Sequence, residues 1–305
     1  MDRKKTKKIV VLATGGTIAG LADDTANPHQ YKAGQVPVAD LLASASDADA
    51  GVVSEQLAQI DSKDMSFALW QSLLARVAHW VAQDDVQGVV ITHGTDTLEE
   101  TAYFLQTVLR PTKPVAITCA MLPANAPDSD GPANLQQALQ WVRADDSHGV
   151  ALVCAGHVHP GQAVQKVHSQ QRDPFAATQP LTPTSGAATW RIPSVSQVLA
   201  CVAWPRVDLV SNHAGADGRL VRAATAHDAP QGWVVAGTGN GTVHHDLEAA
   251  LREAQQQGAL VLRASRCAMG GVQSREGDVF AHAGQLTAVQ ARVALLLHLI
   301  AQQAS

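Results

Sequence analysis

The chain has 305 residues, of which 46% are hydrophobic and 4% aromatic, and its formal net charge is −5. This length and apolar content allow a large core in one large or two modest domains. The sequence lacks the concentrated basic surface of nucleic-acid binders, and it has no apolar run near the roughly 20 residues that span a bilayer. We therefore expect a protein that binds neither nucleic acids nor membranes.

The N-terminal basic run from Arg3 to Lys8 precedes a short apolar segment. A signal peptide needs a longer apolar region, so we expect a solvated tail before the first strand. The four cysteines are widely spaced and form no C-x-x-C pair; they are Cys119, Cys154, Cys201 and Cys267. This spacing favours reduced, mostly buried thiols in a cytoplasmic protein, with a catalytic cysteine as the alternative.

The first two thirds of the chain alternates between strand and helix patterns. Apolar runs predict strands at 8–13, 52–60, 88–92, 114–119 and 149–154. Apolar residues spaced by three and four predict helices, most clearly over 67–81, 98–109 and 133–142. Such alternation is typical of parallel strands joined by right-handed crossovers.

Proline and small polar residues become frequent between 173 and 205, which is typical of a linker or domain boundary. The alternation of strand and helix patterns then resumes. It predicts strands near 206–210, 233–236 and 259–263 and helices near 244–256 and 287–302. The last helix is predicted to carry one apolar face. We predict an α/β protein of two α/β domains: a larger N-terminal domain with a mostly parallel sheet (1–186), a linker (187–204) and a smaller C-terminal α/β domain (205–305).

Two short polar loops follow predicted strands, one at 14–20 (Thr-Gly-Gly-Thr-Ile-Ala-Gly) and one at 92–97 (Thr-His-Gly-Thr-Asp-Thr). Ligands of open parallel sheets bind at the carboxyl ends of the strands. Glycines let the backbone turn tightly and approach a ligand, which makes Thr17 a candidate nucleophile. The alternative is a simple turn. A dinucleotide site is disfavoured, because Thr17 stands where the G-x-G-x-x-G pattern needs its second glycine.

The second loop precedes the helix predicted over 98–109. Thr97 and Glu100 have the spacing of a capping box. That structural role leaves His93, Thr95 and Asp96 unexplained. Thr95 lies near the helix N-terminus, where free N–H groups and the helix dipole favour developing negative charge.

Two further candidates lie elsewhere in the chain. Ser62 lies between a predicted strand and a predicted helix. It is either the N-cap of that helix or a binder of a substrate carboxylate, and Asp64 could also be the N-cap. Lys166 is either a surface lysine or a base whose pKa burial would lower.

The pairs His157/His159 and His244/His245 raise the question of a metal. No acidic or cysteine ligand is placed in the sequence to complete either set, so we predict no metal site.

Both loop sequences resemble the two signature sequences of bacterial L-asparaginases. Further matches to this family lie at 120–123, 129–135 and 237–241, and the resemblance covers nearly the whole chain. It implies an amidohydrolase that converts L-asparagine to L-aspartate and ammonia through a threonine nucleophile and a covalent acyl-enzyme. An unactivated amide needs a base beside the nucleophile and donors around the oxyanion, but no cofactor.

The resemblance also implies roles for individual residues. Thr17 is the nucleophile, and Tyr31 helps to take its proton. Thr95, Asp96 and Lys166 form a second polar triad. The implied substrate-binding residues are Gly16, Ser62, Lys63, Gly94, Thr95, Asp96, Ala120, Asn240 and Glu276, of which Ser62 and Asp96 hold the α-carboxylate and α-amino groups.

In the family a neighbouring subunit contributes an asparagine and a glutamate to each site, for which Asn240 and Glu276 are the matches. The resemblance therefore implies a homotetramer, built as a dimer of dimers with shared active sites. Lys63 stands where secreted members often carry glutamine, which points to an altered substrate preference.

Three alternative functions stay open: a glutaminase-asparaginase, an amidohydrolase of another small amide, and a non-catalytic amino-acid sensor. The presence of Thr17, Thr95 and Lys166 disfavours the sensor.

Overall fold

A computed structural model of the chain describes residues 7–27, 29–45, 51–177 and 187–303. The chain divides into two compact units, residues 1–176 and 177–305. This division precedes the predicted domain boundary after residue 186. Most of the predicted N-terminal tail and the middle of the proline-rich stretch, 178–186, lie outside the described residues.

The elements of the N-terminal unit follow one another as strands and helices. They are β1 (Lys8–Gly15), β2 (Leu21–Ala22), β3 (Tyr31–Lys32), α1 (Val38–Ser44), β4 (Val52–Ile60), α2 (Phe67–Val81), β5 (Val86–Thr92), α3 (Leu98–Leu109), β6 (Val115–Thr118), α4 (Gly131–Arg143), β7 (Val150–Cys154), β8 (His157–Pro160), β9 (Val164–Lys166) and β10 (Phe175–Ala177). Two single 3-10 turns lie at Thr17–Ala19 and Ser62–Asp64.

A six-stranded sheet of order β4-β1-β5-β6-β7-β8 forms the centre of this unit. All its pairings are parallel except that of β8 with β7, so the predicted mostly parallel sheet is confirmed. Along β1, residues 10–12 are fully buried, as expected for a central strand covered by helices on both faces. Because β1 and β5 are neighbours, the loops that follow them lie at the same edge of the sheet.

Helix packing accounts for the burial of these strands. Helices α1 and α4 bury leucines against β1, β5 and β6 in one cluster, represented by Leu41 and Leu139. Helix α2 contacts β5 and α3, and Trp70 of α2 stacks on Phe104 of α3 with ring centroids 4.8 Å apart. These contacts fix α3, whose N-terminus follows the second polar loop.

The elements of the C-terminal unit repeat the α/β alternation on a smaller scale. They are α5 (Val195–Ala200), β11 (Val207–Ser211), α6 (Arg219–His227), β12 (Gly232–Gly237), α7 (His245–Gln256), β13 (Leu260–Ser265), β14 (Ala281–His282) and α8 (Ala288–Gln303). A parallel sheet of order β11-β12-β13-β14 lies at its centre, so the prediction of a smaller α/β domain is confirmed.

Helix α8 differs from its predicted single apolar face. It packs against β11, β12, β13 and α5, and its buried residues cover most of its circumference. They are Gln290, Ala291, Val293, Ala294, Leu295, Leu296, Leu297, Leu299, Ile300 and Ala301. A helix that is apolar nearly all round is a core helix.

Helix α5 lies inside the predicted linker 187–204, and the prediction also lacks α1, α6 and the β2–β3 hairpin. These elements are short, and α6 buries only Val221, so the periodic apolar signal is weak. Among the described residues, no helix combines the length and apolar character that crossing a lipid bilayer would require.

Candidate active site

Two glycines at the end of β1 allow close backbone contacts, Gly15 with β4 and Gly16 with the loop after β5. Gly15 and Gly16 both have positive φ, at 110° and 83°. A Cβ at Gly15 would lie 2.4 Å from Ile60 O, and one at Gly16 would lie 2.4 Å from Gly94 Cα. Only glycine fits both the conformation and the space. The backbones of the first and second loops therefore meet at Gly16 and Gly94.

Thr17 follows this contact and begins a 3-10 turn. It is buried, and its Oγ1 lies 2.7 Å from the hydroxyl of Tyr31. Tyr31 opens β3, and pairing of β3 with β2 brings it towards Thr17. A phenol at hydrogen-bond distance can take a proton from an attacking hydroxyl. The structure thus places the two residues together, as the resemblance implies.

Ser62 joins the turn after β4 to the second loop. It is buried, and its Oγ accepts a hydrogen bond from Asp96 N at 3.1 Å. Its carbonyl oxygen accepts from the Thr97 hydroxyl at 2.7 Å. A Cβ at Gly94 would lie 2.5 Å from Ser62 Oγ, so a glycine is required there as well. Because Ser62 Oγ accepts from Asp96, its own O–H stays available as a donor.

The predicted capping roles in this region are wrong. Thr97 makes no side-chain cap to α3 and its hydroxyl bonds Ser62 instead, so the predicted Thr97–Glu100 capping box does not form. Helix α2 begins after Ser66, whose Oγ accepts from Leu69 N, rather than at Ser62. In both cases a hydroxyl that could cap a helix connects two loops.

Lys166 lies at the end of β9 with its side chain only 18% exposed. Its Nζ donates to Thr95 Oγ1 at 2.8 Å and to Asp96 Oδ1 at 2.7 Å. The structure therefore brings together the three residues of the implied second triad, from positions 71 and 70 residues apart in the chain.

Glu99 is a residue of this cluster that sequence reasoning missed. Its Oε2 accepts a hydrogen bond from the backbone N–H of Lys166 at 3.2 Å. Burial raises the pKa of the Glu99 carboxyl to about 7, although the Lys166 N–H opposes the shift. An acidic residue in the first helical turn is ordinary on dipole grounds, so the sequence carries no distinct signal for it.

His93 has a structural role. It is fully buried, with Nδ1 2.7 Å from Gly94 O and Nε2 3.0 Å from Thr101 Oγ1. A carbonyl can only accept, so Nδ1 carries the proton and Nε2 accepts from Thr101. Burial lowers the pKa of His93 to about 4, so the ring is neutral near pH 7.

Ala120 follows β6 in a turn that side chains hold in place. The Asp130 carboxylate accepts from Met121 N and Leu122 N, and Asn134 donates to Cys119 O. Ala120 itself is fully buried, and its Cβ lies 3.6 Å from the position that a Cβ would take on the glycine at the start of α4. Ala120 therefore packs inside this turn, and its contact with a ligand stays a prediction.

Lys63 is exposed and lies between two carboxylates. Its Nζ is 2.9 Å from Asp61 Oδ2 and 3.1 Å from Asp64 Oδ2. The hydrogen bonds that Lys63 Nζ donates to Asp61 and then to Asp64 raise the pKa of Lys63. These ion pairs are local to its own turn, although Ser62 beside it belongs to the site.

Asn240 and Glu276 lie in the C-terminal unit. The Asn240 carboxamide donates to Gln273 O and accepts from Gln273 N, both at 2.8 Å. Glu276 is exposed three residues further on. Asn240 therefore holds the turn after β12 to the segment that carries Glu276; their role in a shared site stays a prediction.

The expectation that no acidic residue accompanies the histidine pairs is wrong. Asp173 Oδ2 lies 3.4 Å from His157 Nε2, and a closer group forms at the second pair. Asp246 supplies an acidic group beside His244 and His245, and one ligand atom from each of the three lies within 4.8 Å of the others. His245 is 82% exposed at its side chain, and the group lies at the start of α7.

The cysteines show different environments. None of the four forms a disulfide: Cys119 and Cys154 are buried, Cys201 is half-buried and Cys267 is exposed. Cys119 Sγ lies 3.6 Å from Cys154 Sγ. This neighbour and burial raise the pKa of Cys119 well above its usual range, which disfavours a reactive thiolate there.

Comparisons with known proteins agree with this architecture. Residues 8–191 match the family model described as asparaginase, N-terminal, and residues 206–305 match that of the glutaminase/asparaginase C-terminal domain. A glutaminase-asparaginase of Pseudomonas fluorescens biotype A is 32% identical over 90% of this chain and 80% of its own length. L-asparaginase 2 of Escherichia coli (strain K12) is 34% identical over 95% of this chain and 88% of its own.

Among solved structures, the chain is similar to a probable cytoplasmic L-asparaginase from Campylobacter jejuni. The two are 31% identical with a TM-score of 0.86, over 96% of this chain and 95% of the other.

Proposed function

Because this chain belongs to the glutaminase/asparaginase family, we propose that it hydrolyses the side-chain amide of L-asparagine to L-aspartate and ammonia. The observation that carries the proposal is a pair of polar groups, one at each of the two loops whose backbones meet at Gly16 and Gly94. One is Thr17 with Tyr31 at 2.7 Å, and the other is Lys166 with Thr95 and Asp96 at 2.8 and 2.7 Å.

In the first step Thr17 Oγ1 attacks the amide carbon. The Thr17 proton passes to Tyr31, and the Tyr31 phenolic proton moves to the departing nitrogen. The carbon–nitrogen bond breaks, ammonia leaves, and an ester to Thr17 remains. Water then hydrolyses the ester and restores the Thr17 hydroxyl. A threonine hydroxyl is a weak nucleophile without such a partner, so the short contact to Tyr31 is what makes the step feasible.

The second cluster positions and polarises the substrate. Thr95 lies just before α3, where the positive end of the helix dipole stabilises charge that develops on the amide oxygen. Lys166 holds Thr95 and exchanges a proton with it. These steps use side chains and water alone.

Substrate binding follows from the free hydrogen-bonding capacity of two residues. Ser62 keeps its O–H for the substrate α-carboxylate. Asp96 is half exposed and gives one oxygen to Lys166, which leaves Oδ2 for the α-amino group. We expect Gly16, Gly94 and Ala120 to contact the substrate through their backbone groups.

A preference for glutamine is the second candidate function, favoured by the relative that is named a glutaminase-asparaginase. The exposed Lys63, beside Ser62, is the residue of this chain that we expect to affect the choice. Rates of ammonia release from asparagine and glutamine by the purified protein decide between the two.

The test of the nucleophile is Thr17→Val. We expect the variant to fold and to lose more than about a hundredfold in kcat, which corresponds to about 2.7 kcal/mol of transition-state stabilisation. Thr17→Ser keeps a hydroxyl and serves as the matched control with measurable turnover. A valine variant with more than about a hundredth of the normal kcat would exclude Thr17 as the main nucleophile.

We also propose that the chain forms a homotetramer, a dimer of dimers in which Asn240 and Glu276 complete the site of a neighbouring subunit. Support comes from their position in the C-terminal unit, whereas Thr17, Ser62 and Lys166 lie in the N-terminal one.

Mixing two inactive variants tests this arrangement. Thr17→Val and Asn240→Ala chains, unfolded and reassembled together, should regain activity, because hybrid dimers contain one site with both defects and one with neither. Native mass spectrometry counts the hybrids. Hybrids without activity, or a fully active monomer, would contradict the shared site.

Finally, we propose a cytoplasmic location. The name of the similar Campylobacter jejuni protein and the free, adjacent Cys119 and Cys154 support it. Cell fractionation with an activity assay tests it.

A further inference from the structure

The position of Tyr31 depends on a very small hairpin. Strands β2 and β3 pair at only two positions, Leu21 with Lys32 and Ala22 with Tyr31. Both residues of β3 are exposed, and Ala22 is the buried residue of β2. A two-stranded hairpin is marginally stable by itself, so other contacts must hold it.

The hairpin lies beside an open pocket. A cavity of about 210 Å³ that opens to solvent lies between Leu21 of β2, Leu41 of α1 and Leu135 of α4, and Asn125 also lines it. Leu21 is 39% exposed, so the hairpin buries little apolar surface on this side. Polar contacts therefore carry a larger share of the hairpin's attachment.

Asn125 supplies two such contacts to one residue of β2. Its Oδ1 accepts from Ala22 N at 2.9 Å, and its Nδ2 donates to Ala22 O at 2.8 Å. The carboxamide thus occupies the outer edge of β2 as a neighbouring strand would. Next to it, Ala124 N donates to Gly20 O at 2.8 Å.

The segment that carries Asn125 is itself well held. Ala126 N donates to Pro123 O, and Ser129 N to Ala126 O, each at 3.0 Å. The Asp130 carboxylate accepts from two backbone N–H groups of the turn after β6. Asn125 therefore connects a fixed turn to the hairpin.

We propose that Asn125 is a positioning residue for the reaction: by bonding both backbone groups of Ala22, it holds the β2–β3 hairpin where Tyr31 reaches Thr17. This inference rests on the proposed function of Thr17 and Tyr31. A carboxamide is needed because it offers a donor and an acceptor side by side. An aspartate in its place would set a second acceptor against Ala22 O, so Asn125→Asp is the sharpest perturbation.

Fluorine NMR reads the hairpin without any assay of activity. The chain contains only two tyrosines, Tyr31 and Tyr103, so labelling with 3-fluorotyrosine gives two signals. Tyr103 is buried and serves as the internal reference, and Tyr31→Phe assigns the other signal. We expect Asn125→Asp to move the Tyr31 signal towards that of solvent-exposed fluorotyrosine and to leave the Tyr103 signal in place.

Kinetics then show whether this displacement matters. Loss of both hydrogen bonds to Ala22 predicts a loss of about tenfold or more in kcat, with a smaller change in KM. The same substitution in a Tyr31→Phe background should cost less than about twofold, because its effect passes through Tyr31. Asn27→Asp, at an exposed asparagine of the same hairpin, is the matched control and should change neither signal nor kcat.

The outcomes are distinct. An unchanged Tyr31 signal in Asn125→Asp overturns the inference, whatever the activity. A full tenfold loss in the Tyr31→Phe background also overturns it, since Asn125 would then act by another route. A wild-type protein that releases no ammonia refutes the proposed function, while the NMR comparison still tests the attachment of the hairpin. If Asn125→Asp does not fold, Asn125→Ala removes both bonds without repulsion and gives the same comparisons.

Discussion

Two titratable groups beside the candidate site, the half-buried Glu99 and the fully buried His93, have pKa values shifted in opposite directions. The variant Glu99→Gln separates their contributions to stability. Burial raises the pKa of Glu99 from 4.5 to about 7, and burial lowers the pKa of His93 from 6.5 to about 4. Glutamine keeps an acceptor for the backbone N–H of Lys166 and removes the titration of Glu99.

The signs of the two contributions are opposite. Protonation of Glu99 is favoured in the folded state, so its contribution is present below pH 4.5 and is lost as pH rises to about 7. Protonation of His93 is disfavoured in the folded state, so its contribution is present above pH 6.5 and is lost as pH falls to about 4. Each changes the free energy of unfolding by up to about 1.4 kcal/mol per pH unit. Between pH 4.5 and 6.5 they therefore oppose each other in the wild type.

In Glu99→Gln, the His93 contribution to the free energy of unfolding should no longer be offset by that of Glu99. The stability of Glu99→Gln relative to wild type should rise with pH between 4.5 and about 7 and level off above. The full shift corresponds to about 3 kcal/mol, and partial exposure of the residue reduces the expected rise to about 2 kcal/mol.

Urea unfolding followed by tryptophan fluorescence at half-unit pH steps measures this difference. Asp145→Asn removes a carboxylate at an exposed position and controls for the loss of charge. A difference between Glu99→Gln and wild type that stays flat over this range, or that falls with rising pH, would refute the reasoning.

Two further predictions concern the site. Lys166→Met should reduce kcat by about a hundredfold or more, with KM less affected, because Lys166 acts on Thr95 in the reaction. Steady-state kinetics measure both constants, and a change in KM alone would indicate a binding role instead. Ser62→Ala should raise KM for asparagine by about tenfold through loss of one charge-assisted hydrogen bond to the substrate carboxylate, and an unchanged KM would restrict Ser62 to its contact with Asp96.

The sequence predicts the regular elements well where the signal is local. Helix α3 spans Leu98–Leu109 as predicted, and β4 spans Val52–Ile60, because each is a long periodic or apolar run. The positions of Gly15 and Gly16 in the candidate site were also predictable, since glycine after a strand indicates a tight turn.

Contacts between distant segments were not predictable from such patterns. Asn125 bonds a residue 103 positions away, and Lys166 bonds one 71 positions away. Nothing in the local sequence of either residue indicates its partner, and only the family resemblance grouped Lys166 with Thr95 and Asp96. The failed capping box has the same cause, because Ser62 competes for the Thr97 hydroxyl from 35 positions away.

The two halves of the candidate site are held in different ways, and this has a functional consequence. Lys166, with its side chain only 18% exposed, lies between Asp96, Thr95 and the Glu99 carboxyl, all on one helix and the loop before it. Thr17 is as deeply placed, but its partner Tyr31 is 37% exposed on a hairpin of two residue pairs. Changes in the hairpin or in Asn125 can therefore alter activation of the nucleophile while the Lys166 cluster stays intact. Sequence variation that tunes turnover without disturbing the binding of the α-carboxylate and α-amino groups should accordingly concentrate around β2, β3 and the Asn125 turn.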